Sequence, residues 1–182
     1  MKRTHRVSAL AVVLAAGALG LAAAGAAAGE PVKQTETSRS TKNVFYTADF
    51  SGTVKCGGSQ VLYDEVLRVT TWTWKDAKGQ LRQKQHGETR DTWYLESSPE
   101  RTLRGAANYE VETLTPGVPL YQGLELWTGV FWQVFGPRGG TVFLDAGLEI
   151  IDWRLPQPVV KAVGRHDWLD GRFDGLCAAP QE

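Results

Sequence analysis

The 182-residue chain has one methionine, two cysteines and three histidines. Thiols and imidazoles this sparse, and this far apart in sequence, argue against a structural zinc site, which needs four clustered ligands. No nucleophile elbow of the G-x-S-x-G type occurs. Ser59 in "CGGSQ" has no histidine close in sequence and reads as a turn residue. "GPRGGT" lacks the spacing of a phosphate-cradling loop and reads as a hairpin turn. Polybasic stretches are missing too, with 20 Lys+Arg set against 20 Asp+Glu, so a nucleic-acid partner, which needs a basic face for its phosphates, is not expected.

Only the N-terminus carries a long apolar run. "MKRTHR" is a basic n-region, "VSALAVVLAAGALGLAAAG" an h-region, and the small residues of "AAGAAAGE" suit cleavage near Ala28. The run is nearly long enough to span a bilayer, but its Ala/Gly content is weakly hydrophobic and an A-x-A site follows at once. Residues 1–28 are therefore expected to be a signal peptide, with a signal helix, and the mature protein to be secreted without stable membrane insertion. Loss of Lys2, Arg3 and Arg6, with no acid lost, turns the balanced precursor into a mildly acidic chain. Residues 29–43, "GEPVKQTETSRSTKN", are polar and aperiodic and are expected to form a flexible tether. The remaining 44–182 is long enough for one domain with a real core.

Sustained helical periodicity is missing from 44–164; β-branched and aromatic runs alternate with turn signals instead. "NVFYTADF", "QVLYDEVLRVTTWTW", "QLRQKQHGETRDTWYLE", "TLRGAANYEVETL", "LELWTGVFWQVF", "TVFLDAG", "LEIIDWRL" and "VVKAVGRH" give about eight strands in sequence. Between them lie turns such as "KDAKGQ", "GPRGG" and "PQP". A bulge is expected at Gly87 and a turn at Ala146-Gly147. The expected fold is all-β: an antiparallel meander closing into a small lipocalin-like barrel, which would remove its edges. A sandwich is the alternative.

Cys56 lies near the start of the domain and Cys177 near its end. In an exported chain an even pair points to a disulfide, with free thiols or an intermolecular bridge as rivals. The closing "GRHDWLDGRFDGLCAA" then reads as a latch tying the last strand to the first.

Candidate chemistry is thin. His86 and His166 are the histidines that survive processing. His166 could be oriented by Asp167 or Asp170 as a general base, and both histidines with Asp145 or Asp152 could hold Zn or Cu, although spacing favours neither reading. Asp145, Glu149 and Asp152 could point inward as paired carboxylates, but Asp145 more simply belongs to a turn.

The seven tryptophans are the most unusual feature. They suit a packed core, a cavity for an apolar ligand, or a protein interface. Alternation puts Trp127, Phe131 and Phe135 on one face of their strand, and Leu126, Val130, Trp132 and Val134 on the other. Trp72 and Trp74 are alternate in theirs. Hence Trp72, Trp74, Trp127, Phe131 and Phe135 are the inward, ligand-binding candidates, and the outer aromatic face is a candidate homodimer surface.

"VKCGG", "GGTVFLDAGLEIIDW" and the closing "GRHDWLDGRFDGLCAA" resemble a group of small exported actinobacterial proteins. The resemblance implies secretion and a lipocalin-like barrel, and it carries over no catalytic residue. The expected function is a secreted, non-enzymatic binder of a small hydrophobic ligand, with no cofactor and no metal. The alternatives are a barrel-mouth enzyme of cyclase or isomerase type and an extracellular interaction module.

Overall fold

A computed structural model describes residues 30–48 and 51–179; the expected signal peptide and signal helix lie outside the described residues. Eight strands run in chain order: β1 (Val32–Val44), β2 (Lys55–Cys56), β3 (Ser59–Lys75), β4 (Leu81–Leu95), β5 (Ser98–Thr113), β6 (Leu124–Phe135), β7 (Thr141–Asp152) and β8 (Val159–His166). A five-residue helix, α1 (Asp174–Ala178), ends the described chain. The sheet is an antiparallel meander in the order β1-β3-β4-β5-β6-β7-β8, with β2 paired to β3.

Period-2 alternation sets its two faces. From Gln85 to Leu95 every odd residue of β4 is buried and no even one is, because successive side chains leave a strand on opposite sides. Directly opposed residues share a face, so Tyr63, Glu65, Val69 and Thr71 of β3 join Trp93, Asp91, Gly87 and Gln85 of β4 on the inner side.

The sheet does not close into a barrel: among the described residues β1 and β8 remain its two edges. Neither edge is covered by the other, and Val160 and Val163 of β8 stay exposed. β1 is polar and almost wholly exposed, and residues 160–165 of β8 are exposed throughout. Charged residues such as Lys33, Glu36 and Arg39 on β1 also oppose edge-to-edge association.

In place of a seam, the C-terminal latch joins the sheet's two ends. Cys177 of α1 is bonded to Cys56 across 121 residues, and the Trp168 indole donates to the Tyr46 carbonyl at 2.8 Å. Under the latch lies the packed core, centred on Phe45, whose ring meets Trp93 at 4.9 Å, Trp132 at 5.6 Å and Phe143 at 5.7 Å, all edge-on. Leu176 of α1 seals it, 2% exposed.

Several expectations are corrected. The segment expected to be a tether pairs with β3 as β1, because its alternating Thr and Ser suit an exposed edge as well as a loop. β7 is one strand, not two with a turn at Ala146-Gly147. Gly147 instead sits mid-strand opposite Gly129 and Gly164, and a Cβ on it would lie 2.1 Å from the Val163 carbonyl oxygen. At Gly87 the register is unbroken; the missing side chain makes room for the Tyr109 ring, which a Cβ would meet at 2.3 Å. Finally, the latch contains a helical turn where only turns were expected.

Candidate functional site

Tyr109, Tyr121, Trp127, Phe131 and Trp153 form a second aromatic group, outside the packed core. Trp127 is opposite Val111 on one side and Glu149 on the other, which fixes it on the inner face. Tyr109 stacks on it at 5.5 Å and 16°. Phe131 meets it edge-on at 6.2 Å, and Trp153 lies 6.4 Å away. Tyr121 comes from the Pro/Gly loop between β5 and β6, which folds over this end of the sheet.

A polar frame holds the rings in place. Glu125 is fully buried and its Oε2 accepts the indole N–H of Trp127 at 2.9 Å and of Trp153 at 2.8 Å. Its Oε1 accepts the backbone N–H of Tyr121, and the Tyr121 hydroxyl donates to Gln85. Gln83 accepts the Leu120 N–H at 2.9 Å, tying down the same loop. With both indole N–H groups satisfied by one carboxylate, the rings turn only apolar surface to their neighbours, Tyr109 covering one face of Trp127.

Next to this wall lies an acidic cluster. Asp145 and Glu149 alternate on the inner face of β7, and His166 ends β8 directly opposite Asp145. His166 Nδ1 lies 2.6 Å from Asp145 Oδ1 and 3.2 Å from Glu149 Oε1. All three residues are buried. Phe131 stacks on the imidazole at 6.1 Å and 18°, linking the cluster to the aromatic wall. Burial pushes Glu149 up to about 7, aided by the neighbouring Asp145. Burial likewise raises Asp145, although His166 and the Trp168 backbone act the other way. His166 Nε2 is buried without a hydrogen-bond partner.

A second acidic pair, Glu65 and Asp91, is directly opposed across β3 and β4. Burial lifts Glu65 to about 7, with the Asp91 charge adding to it, and lifts Asp91 to about 6 against the hydrogen bond from Thr89. Burial, with both of these acids, also takes Tyr109 to about 12. The interior therefore combines aromatic rings with an excess of carboxyl groups.

Of the five ligand-binding candidates, Trp127 and Phe131 are brought together on the inner face. Trp72 and Trp74 are on the outer face, because β3 alternates without a break and both are an odd number of residues from inward Tyr63. Lys33 sits 5.7 Å over the Trp72 ring. Phe135 is turned outward by bulges in the β6–β7 pairing and lines an open groove of about 430 Å³ with Arg90 and Arg104. The same bulges bring Trp132 and Val134 inward, so the outer aromatic face expected on β6 loses its largest ring to the core.

The titratable expectations change as well. His166 pairs with Asp145, not with Asp167 or Asp170. Asp167 instead clamps the latch: it accepts from Arg165 at 2.8 Å and from the Leu144 N–H at 2.9 Å, with Arg172 Nε 3.2 Å away. Burial works to raise its pKa, but these partners together hold it low. Asp152 pairs with Arg154 at 2.7 Å, and His86 lies beside Glu88 on the outer face, 3.3 Å away. Neither joins a metal cluster with His166. The Asp145–Glu149–His166 grouping was missed because a turn placed at Ala146-Gly147 splits β7. As one strand, "FLDAGLEII" puts Phe143, Asp145, Gly147, Glu149 and Ile151 on a single face.

No helix among the described residues is long and apolar enough to cross a membrane. Comparison with protein-family models, curated proteins and solved structures gave no match, so the site's chemistry rests on its own geometry.

Proposed function

We propose that the protein is exported, with its leader removed near Ala28, and that it binds a small aromatic or otherwise apolar molecule on the inner face of its sheet without transforming it. The observation that carries this reading is the shared anchoring of Trp127 and Trp153 by buried Glu125. That arrangement fixes two large rings outside the packed core, with Tyr109 on one face of Trp127, as an apolar wall for a guest. The surrounding carboxyl groups favour a neutral or cationic ligand, since an anion would meet Glu65, Asp91 and Glu149 on the same face. The Cys56–Cys177 bond agrees with export to an oxidising compartment.

The test is a fluorescence titration with the neutral probe N-phenyl-1-naphthylamine. Binding in the micromolar range is expected, weakened at least about tenfold, or ~1.4 kcal/mol, by Trp127→Leu or Phe131→Ala. Trp72→Ala, on the outer face, should leave it unchanged. Equal binding by all four proteins would refute the assignment.

The enzyme alternative has one geometric support, the Asp145–His166 pair, in which a carboxylate orients an imidazole as in general-base dyads. Against it, His166 Nε2 is buried without a hydrogen-bond partner.

A further inference from the structure

The Asp145–Glu149–His166 cluster has a bonding problem that the protein's own atoms leave unsolved. A neutral imidazole with its proton on Nδ1 has one N–H to give in that direction. Two buried carboxylates face it, Asp145 at 2.6 Å and Glu149 at 3.2 Å. Asp145 takes the hydrogen bond, and Glu149 Oε1 is left buried without one. Arg165 and Arg172, close to His166 in sequence, pair with Asp167 and Asp170. A buried carboxylate without a cation or a donor is costly, and such groups are paired or bind metal.

We infer that Asp145, Glu149 and His166 Nδ1 form a binding site for one divalent first-row metal ion of the zinc class. Their donor atoms all lie within 4.8 Å of one another, so a single ion can reach all three with a modest adjustment of side chains at the usual zinc distances of about 2.0–2.2 Å. Two carboxylates and one neutral imidazole give a donor charge of about −2, which a dication balances. The mixed O,O,N set suits zinc or manganese better than the all-oxygen shells of calcium and magnesium. With the imidazole proton moved to Nε2, the ion takes the place of the Nδ1 hydrogen bond between these side chains.

Two further features fit. Phe131 stacked on the ring fixes the imidazole plane. Glu149 is opposite Ala162 on β8, an edge strand whose residues 160–165 are exposed, so local opening of that edge gives the ion a way in. With three protein donors the ion keeps at least one position for water or for a ligand atom. The site stands on this geometry and does not depend on the apolar-ligand reading.

The test uses the full mature chain, stripped with EDTA and titrated with Zn²⁺ by calorimetry and native mass spectrometry. One zinc per chain with micromolar or tighter affinity is expected. Glu149→Gln, nearly isosteric, should weaken it at least about tenfold, while His86→Ala should leave it unchanged. Should Glu149→Gln fail to fold, Co²⁺ on the wild type gives a second readout. Paramagnetic broadening of the His166 and Phe131 resonances, with His86 sharp, supports the site. No stoichiometric binding, unaltered affinity in Glu149→Gln, or broadening centred on His86 would overturn it. Loss of zinc binding with unchanged N-phenyl-1-naphthylamine binding separates this inference from the apolar-ligand proposal.

Discussion

Trp127 and Trp153, from β6 and from the turn after β7, donate their indole N–H groups to the same oxygen of Glu125, at 2.9 and 2.8 Å. One fully buried carboxylate thereby sets the position of two rings and, through Tyr121 N–H, of the loop above them.

Removing that carboxylate should be costly. Glu125→Ala leaves two indole donors and a backbone N–H without their acceptor, and unsatisfied buried donors cost about 1–3 kcal/mol each. A loss of about 3 kcal/mol or more is expected in urea unfolding, and a smaller one for Glu125→Gln, whose amide oxygen can still accept the two indoles while its NH2 cannot accept the Tyr121 N–H. Near-equal losses would mean that the rings hold themselves in place.

Two glycine variants should separate folding from binding. At Gly147, φ is 141° and a Cβ would lie 2.1 Å from the Val163 carbonyl oxygen. Gly147→Ala should therefore cost about 3 kcal/mol or more, because backbone must move. At Gly87 the obstacle is the Tyr109 side chain. Gly87→Ala should be milder, yet it should displace Tyr109 from Trp127 and weaken probe binding. Thermal unfolding together with the fluorescence titration reads both effects.

Stability should fall as pH rises from about 4 to about 7. The Glu65 carboxyl moves from 4.5 to about 7 on folding, and Asp91 from 3.8 to about 6. Within that window the folded chain holds more protons than the unfolded one, so raising the pH favours unfolding. The penalty is complete about one unit above pH 7. Glu65→Gln should therefore raise the unfolding free energy at pH 8 by about 2 kcal/mol, and change little at pH 4. A wild-type midpoint that climbs from pH 4 to 7 would contradict the burial of this pair.

The latch supplies a fourth expectation. The Cys56–Cys177 bond closes a separation of 121 residues, which is worth up to about 5 kcal/mol in the chain-entropy model. Reduction, or Cys56→Ser with Cys177→Ser, should lower the thermal midpoint markedly. It should expose the core beneath α1, seen as a shift in Trp168 and Trp93 fluorescence, before the rest of the sheet is lost.

Local pattern carried much of this fold into the sequence. β6 and β8 coincide with "LELWTGVFWQVF" and "VVKAVGRH", because Gly- and Pro-containing turns bracket runs of β-branched and aromatic residues. The Cys56–Cys177 pairing followed from parity. What stayed hidden was non-local. "VKQTETSRSTKNV" has no apolar face, so nothing but its partner β3 marks it as a strand. Bulges in β6 cannot be read from alternation, and they exchange Phe135 for Val134 on the inner face. An open sheet and a barrel have the same strand pattern and differ only at the edges. Asp145 met His166 through a hairpin register that a misplaced turn concealed.

The most direct measurement is a ¹⁵N NMR titration that follows the indole N–H signals of the seven tryptophans as N-phenyl-1-naphthylamine is added. Shifts confined to Trp127 and Trp153, with Trp72 and Trp74 unmoved, are the expected result. Shifts centred on Trp72 and Trp74, or none at saturating probe, would contradict binding on the inner face.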